Sequence, residues 1–352
     1  MGFYQAMQLS AANLKPLIKN AESKETKNKY IAALILKSIL CLLFCTIVVI
    51  SFGKVFGEEN NVVGVVTVIS LLNFRFSNLD FKVRQAALTI VGIFGVLSIS
   101  PYIASISNPF LGFIINFISI IGILILTCHN VRLCNHSILV LSYFLLYGYK
   151  VENTEILINR IIGLIFGGIL VASIFYIKQR KIEFKNTFID IINDVDFNTE
   201  RTKWQLKFAF VTTSAIMIGE FLHIPRVMWI GIACMSVFHP DKSQLQIRYK
   251  QRMLYMVLGC LMYMSIYFLI PQQFRGLIGL IGGVMIGFSG TYKWQTVFNA
   301  FGALSAATPI LGFGGTIIFR ILNNVFGALY SKGFDYIINF IDNKEFANVN
   351  EA

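Results

Sequence analysis

Three stretches of this chain place a glycine seven residues after an arginine: Arg160 to Gly167, Arg252 to Gly259 and Arg320 to Gly327, with Arg84 and Gly92 a looser fourth, eight apart. Seven residues are about two turns of α-helix, so the arginine and glycine share a face and lie about 10 Å apart along the axis. Such a pair offers two kinds of chemistry. The guanidinium can anchor a helix start among lipid headgroups, while the glycine admits a close neighbour. On that reading Gly92, Gly167, Gly259 and Gly327 are helix-packing positions. Set around a common route, the same arginines would instead draw in an anion. Lys37 and Lys207, each early in an apolar stretch, extend the positive set. The expected arrangement has Arg84, Arg252, Lys37 and Lys207 at an inner mouth, and Arg160 and Arg320 at an outer one. Ser70, Asn73, Trp229, Ser236 and His239, with Thr67, fall in or beside two short apolar stretches and supply further substrate contacts.

The carboxylates are placed differently. None of the 18 acidic residues lies midway in an apolar run. Glu220 comes nearest, one turn from a helix end, with His223 three residues on, on the same expected face. The pair could exchange protons, since histidine titrates near neutrality. A cap or a salt bridge with Arg226 is the structural alternative. The four histidines and six cysteines lack metal-ligand spacing, so no metal is expected. The glycine-rich stretches at 279–283 and 312–315 lack the strand and Lys-Ser/Thr of a phosphate loop. No GxSxG nucleophile elbow is present. The expectation is a protein that is not an enzyme and uses no cofactor.

The elements that must carry these residues are membrane helices. Only 48 of 352 residues are Lys, Arg, Asp or Glu, and the mean hydropathy is +0.67. Apolar stretches run over 31–52, 62–74, 86–106, 111–128, 133–149, 161–177, 208–222, 227–238, 253–270, 276–289, 294–313 and 317–338. No soluble core of this size hides so many helix-length blocks. Uninterrupted blocks such as 111–128 are too continuous for barrel strands, so the segments are helices. The fold expected is an all-α polytopic membrane protein of about twelve transmembrane segments. Segments 62–74 and 227–238 are shorter than the roughly 20 residues a straight span needs, and are either completed by their flanks or broken elements. The N-terminal end of such a half-helix favours a negative group.

With the N-terminus inside, 23 lysines and arginines fall on the inner side and six on the outer. This positive-inside bias puts both termini in the cytoplasm of a cell bounded by the plasma (cytoplasmic) membrane. It also accounts for the net charge of +12 without nucleic acid, for which no basic soluble module with stacking aromatics exists. Residues 1–30 lack the apolar core and cleavage site of a signal peptide, and the stretch 3–17 suits an amphipathic surface helix.

The chain reads as two parallel six-segment repeats, residues 31–177 and 204–338, joined by a polar linker helix over 178–203 and followed by a tail at 339–352. Each half opens with a helix bearing an early lysine, followed by a short segment and a basic loop. Six segments per half give both copies the same direction.

The helix end Ser236-Val237-Phe238-His239-Pro240, the basic connection after it, and Arg252-x6-Gly259 resemble the fusaric-acid-resistance and aromatic-acid exporter family. They are also similar to the domain of plant aluminium-activated malate transporters. The resemblance covers 31–338, but Asn73-Phe74 lacks the proline of Pro240 and the large cytoplasmic domains of relatives are missing. What it implies is efflux of organic, aromatic or amphipathic anions, with a malate-type anion channel as the nearest competitor, and a homodimer as partner state. Aromatic side chains, 32 Phe and 14 Tyr, would suit such a substrate. A scaffold without transport is the remaining class.

Overall fold

A computed structural model describes residues 1–351, with the side chains at 242, 339 and 341–351 outside the description. The expected tail at 339–352 and the contribution of Lys242 to a basic loop therefore lie largely outside the described residues. Among those described the protein is wholly helical. Two short helices, α1 (Phe3–Gln8) and α2 (Ala11–Lys19), precede α3 (Lys24–Phe56). Then come α4 (Asn61–Phe74), α5 (Val83–Ile106), α6 (Pro109–Thr127), α7 (His136–Gly148) and α8 (Thr154–Gln179). The polar interlude holds α9 (Phe188–Asn193). The rest is α10 (Glu200–Phe221), α11 (Met228–Val237), α12 (Lys242–Leu269), α13 (Ile278–Phe288) and α14 (Tyr292–Glu351). At Gly312 the last helix has φ 70 and ψ 167, a conformation that glycine adopts freely, and two helices meet there.

Every apolar segment of the sequence is helical, but six helices have both the length and the apolarity to cross a membrane: α3, α5, α6, α8, α12 and α14. The difference from twelve has a geometric cause. At 1.5 Å per residue, the 14 residues of α4, 13 of α7, 10 of α11 and 11 of α13 rise about 15 to 21 Å, short of about 30 Å of hydrocarbon. Helix α10 has 22 residues, but its first turns carry Glu200, Arg201, Lys203 and Lys207.

The chain divides into two compact units, each assembled from separated parts of the sequence. Unit 1 comprises Met1–Ile47 and Ile247–Val325. Its core gathers Met256, Cys260, Tyr263, Val297, Phe301 and Leu304 from α12 and α14, with Ile278 of α13. A Cβ at Gly259 would come 2.7 Å from the Val297 carbonyl oxygen, so glycine sets how closely α12 and α14 approach. Ala6, Ala11, Leu14, Ala33 and Leu34 form a smaller cluster that packs α1 and α2 on α3. Thus residues 1–30 include two packed helices and the first turns of α3.

Unit 2 comprises Val48–Gln246 and the chain from Phe326. Helix α8 packs on α4 and α5. A Cβ on Gly167 would collide with the Thr67 hydroxyl, and one on Gly168 would lie 2.6 Å from Phe94. In the same unit, Gly327 lets α14 lie on α11, where a Cβ would meet the Ile230 carbonyl oxygen at 2.7 Å. The interlude is strapped to the start of α5: Lys82 donates its backbone N–H to the Asn186 carbonyl at 2.9 Å, and Phe188 donates to Gln85 Oε1 at 2.8 Å.

Candidate anion-binding residues

In unit 1, α12 carries Arg252 ten residues beyond its start, about 15 Å along the axis. Its side chain is 5% exposed. It donates from Nε and Nη2 to the one side-chain oxygen of Asn324 on α14, at 3.0 and 2.7 Å. Asn324 is itself fully buried and donates from Nδ2 to the backbone carbonyl of Arg320, one turn earlier, at 2.7 Å. Arg320 is 4% exposed. The Asn324 amide thus takes the Arg252 guanidinium on its oxygen and the Arg320 backbone carbonyl on its nitrogen. The sequence holds no acidic residue between Asp241 and Asp335, and the acidic residues of unit 1, Glu22 and Glu25, are both exposed. Arg252 and Arg320 were expected at opposite mouths. In the structure Arg252 lies well inside α12 and its side chain bonds Asn324, whose amide bonds the Arg320 backbone carbonyl.

Unit 2 has a buried guanidinium of its own, Arg160 of α8, 3% exposed. It donates from Nε to Asn60 Oδ1 at 3.0 Å and from Nη1 to the Tyr149 carbonyl. Asn60, just before α4, spends its amide on the carbonyls of Phe56 and Ile156 at 2.9 and 3.1 Å. Arg160 therefore ties the ends of α3, α4, α7 and α8 together through neutral oxygens. Its Nη2 is buried without a hydrogen-bond partner among the described residues.

The remaining sequence-expected residues take other positions. Arg84 is exposed in the first turn of α5 and joins no buried cluster. Lys37 is half-buried on α3 and donates to the Leu9 carbonyl in unit 1; Lys207 is half-buried on α10. Ser70 and Thr67 are fully buried on α4, their hydroxyls without a partner among the described residues. Asn73 donates to Asn135 Oδ1 at 3.1 Å, within a knot where Asn135 also bonds Ser77 and the carbonyls of Asn78 and Thr127. Trp229 is buried in α11. Ser236 bonds the Ala233 carbonyl, and His239 Nδ1 accepts from the Asp241 backbone at 3.1 Å.

Two expectations are corrected. His223 does not share a helix face with Glu220, because α10 ends at Phe221 and His223 turns away with φ 51; Glu220 accepts instead from the Tyr147 hydroxyl at 2.9 Å. Gly92 meets nothing within 4 Å and so brings no helix close. It lines an apolar groove of about 780 Å³ between α5, α6 and α9, with Leu88, Ile93, Ser119, Gly122 and Phe188. Asn324, Asn60 and Asn135 escaped the sequence reading. The signal available was a neutral amide inside an apolar run, as in Leu322-Asn323-Asn324-Val325.

The model of the fusaric acid resistance protein-like family matches residues 214–331. That segment is similar to this family. It is a third of the chain, running from the middle of α10 to the middle of α14. No curated protein and no solved structure matches the chain. With six span-length apolar helices and this match, the chain is an integral membrane protein. The family segment includes Arg252, Arg320 and Asn324, and also Glu220, His223, Trp229, Ser236, His239, Gly259 and Gly327. Lys37, Ser70, Asn73, Arg84, Arg160, Lys207, Gly92 and Gly167 lie outside it.

Proposed function

We propose that the protein moves small organic anions, aromatic or amphipathic carboxylates among them, outward across the plasma membrane. The observation that carries this reading is the buried Arg252 guanidinium, held by the neutral Asn324 oxygen in a unit whose own carboxylates are exposed near its N-terminus, with the buried Arg320 one turn before Asn324 on α14. Burying charge is costly unless an opposite charge or full hydrogen bonding offsets it. Ionisable groups held at such cost inside a helical membrane protein mark ion and substrate pathways. A carboxylate passing the pair would be received bidentately, in the geometry guanidinium offers. The finer architecture belongs to the same proposal: twelve segments in two parallel repeats over 31–177 and 204–338, a linker at 178–203, both termini cytoplasmic, and pairing of two chains.

The test is flux. Purified protein in liposomes is assayed for radiolabelled aromatic and dicarboxylic acids and for anion current. Saturable uptake of a carboxylate is the expected result. Current through single open events would assign a malate-type channel, and absence of both from folded protein would leave the scaffold reading.

A further inference from the structure

Helices α5 and α6 of unit 2 are both long and apolar enough to cross a membrane. Between them runs the groove of about 780 Å³, with α9 at one end. Its walls are two helical stripes, Thr89, Gly92, Val96 and Ser100 on α5 and Ser119 and Gly122 on α6. The glycines give it depth, since a Cβ added at Gly92 or Gly122 would meet nothing within 4 Å. From Gln85 to Ser100 the groove follows α5 for about 22 Å. Its volume spread over that length leaves about 35 Å² of cross-section, less than half of the roughly 80 Å² that a helix about 10 Å across would need. No charged side chain lines it. The Thr89 hydroxyl donates to the Gln85 carbonyl at 3.0 Å and Gln85 Oε1 accepts from the Phe188 backbone at 2.8 Å, so these polar groups are already used. A carboxylate finds no cation along the groove, whereas an acyl chain needs none.

Positive charge gathers at the α9 end instead. Lys82 comes three residues before Gln85, and Lys185 three before Phe188, both of which line the groove there. The Lys82 backbone donates to the Asn186 carbonyl at 2.9 Å and Asn186 Nδ2 to the Asp80 carbonyl at 3.3 Å, so the two lysines flank one strap. Both are exposed, and neither is in an ion pair among the described residues. With Arg180 and Lys181 in the same interlude, cations outnumber the neighbouring carboxylates, Glu183 and Asp190. Asp190 also accepts from the Thr187 backbone and hydroxyl at 2.7 and 2.8 Å. We propose that this groove binds one anionic phospholipid of the surrounding membrane, an acyl chain lying over Gly92 and Gly122 and the phosphate meeting Lys82 and Lys185.

The start of α5 and the polar interlude mark the headgroup level, and the groove leads from there into hydrocarbon. Its length of about 22 Å exceeds the roughly 15 Å that one leaflet contributes to the hydrocarbon layer, so a single chain is received along its whole depth. Leu88, Ile118 and Ile189 at its rims are exposed and continue the lipid-facing surface. Each lysine near an anionic surface is worth about fivefold in affinity, so the two together give a preference of about twentyfold for an anionic over a zwitterionic headgroup. The site lies wholly in unit 2 and does not rest on the transport reading above.

The experiment uses the full chain in phosphatidylcholine vesicles holding a trace of phosphatidylglycerol with a photoreactive diazirine midway along one acyl chain. Illumination should label 89–96 of α5 and 119–126 of α6 well above the exposed apolar face of α3. Unlabelled phosphatidylglycerol should compete about twentyfold better than phosphatidylcholine. Gly122→Leu, which fills the groove, should lower the labelling at least fivefold, and so should Gly92→Leu. Lys82→Gln combined with Lys185→Gln should erase the preference between the two competitors. Thermal unfolding in the same vesicles shows which variants are folded, and if both leucine variants fail, the label positions and the competition in the parent decide. Labelling spread evenly over α3 and the groove marks ordinary surrounding lipid and overturns the proposal. Equal competition by the two lipids in the parent overturns it too. A disulfide between two copies of Leu88→Cys, with the groove unlabelled, would make a second copy the occupant and likewise overturn it.

Discussion

Replacing Asn324 by aspartate separates an anion site from a structural clasp. The oxygen in question accepts from Arg252 at 3.0 and 2.7 Å. A fixed carboxylate there, with charge centres about 4 Å apart and an effective dielectric of about 20, gains about 4 kcal/mol of attraction from Arg252. Desolvating the new carboxylate costs several kcal/mol, so stability should change by no more than about 2 kcal/mol. A visiting anion fares far worse. It meets a like charge in place of a neutral amide and loses about 4 kcal/mol, close to a thousandfold in affinity. The assay is the melting temperature of purified protein with and without an organic acid. A ligand at about 100 times its Kd stabilises by about 2.7 kcal/mol. The parent should show that upward shift, and Asn324→Asp should fold as well and show none. Asn324→Leu, which deletes two charge-assisted hydrogen bonds, should instead lose about 3 to 5 kcal/mol. An Asn324→Asp protein that keeps the full anion-dependent shift would refute the reasoning.

Three further outcomes follow from the packing and the interlude. Gly259→Ala should destabilise by about 1 to 3 kcal/mol in thermal unfolding, because its Cβ would press on the Val297 backbone at 2.7 and 3.0 Å. Gly92→Ala, with nothing within 4 Å, should leave stability unchanged or raise it by up to about 1 kcal/mol. The Asp190 carboxyl is held below its ordinary range by hydrogen bonds from the Thr187 backbone and hydroxyl. Its support of α9 is therefore present above the usual carboxylate range and lost only as pH falls through a lower value; hydrogen exchange at 188–193 should show protection persisting at about pH 4 and then vanishing.

Much of the fold was legible because apolar runs report helices directly: each of the stretches from 31–52 to 317–338 is helical. Span count was harder to read, since hydropathy does not say where a helix stops. Helix α13 ends at Phe288 after 11 residues, and the stretches 294–313 and 317–338 are joined through Gly312. The charged residues were easy to list and hard to place. Arg252 and Arg320 stood out by type, but their meeting on Asn324 depends on how α12 and α14 pack, which no local spacing encodes. Glu220 was visible as the acidic residue nearest an apolar run, whereas its partner Tyr147 lies 73 positions away on α7. The His223 pairing failed on a local detail, a positive φ just past a helix end.

Anion flux in liposomes compared among the parent, Arg252→Gln, Arg320→Gln and Arg84→Gln tests the central claim most directly. Arg252 and Arg320 are buried, whereas Arg84 is an exposed residue of α5. If the buried pair receives the anion, either of the first two substitutions lowers carboxylate flux at least tenfold in protein that still assembles, and Arg84→Gln changes it by less than about twofold. Equal flux in all four would contradict the account.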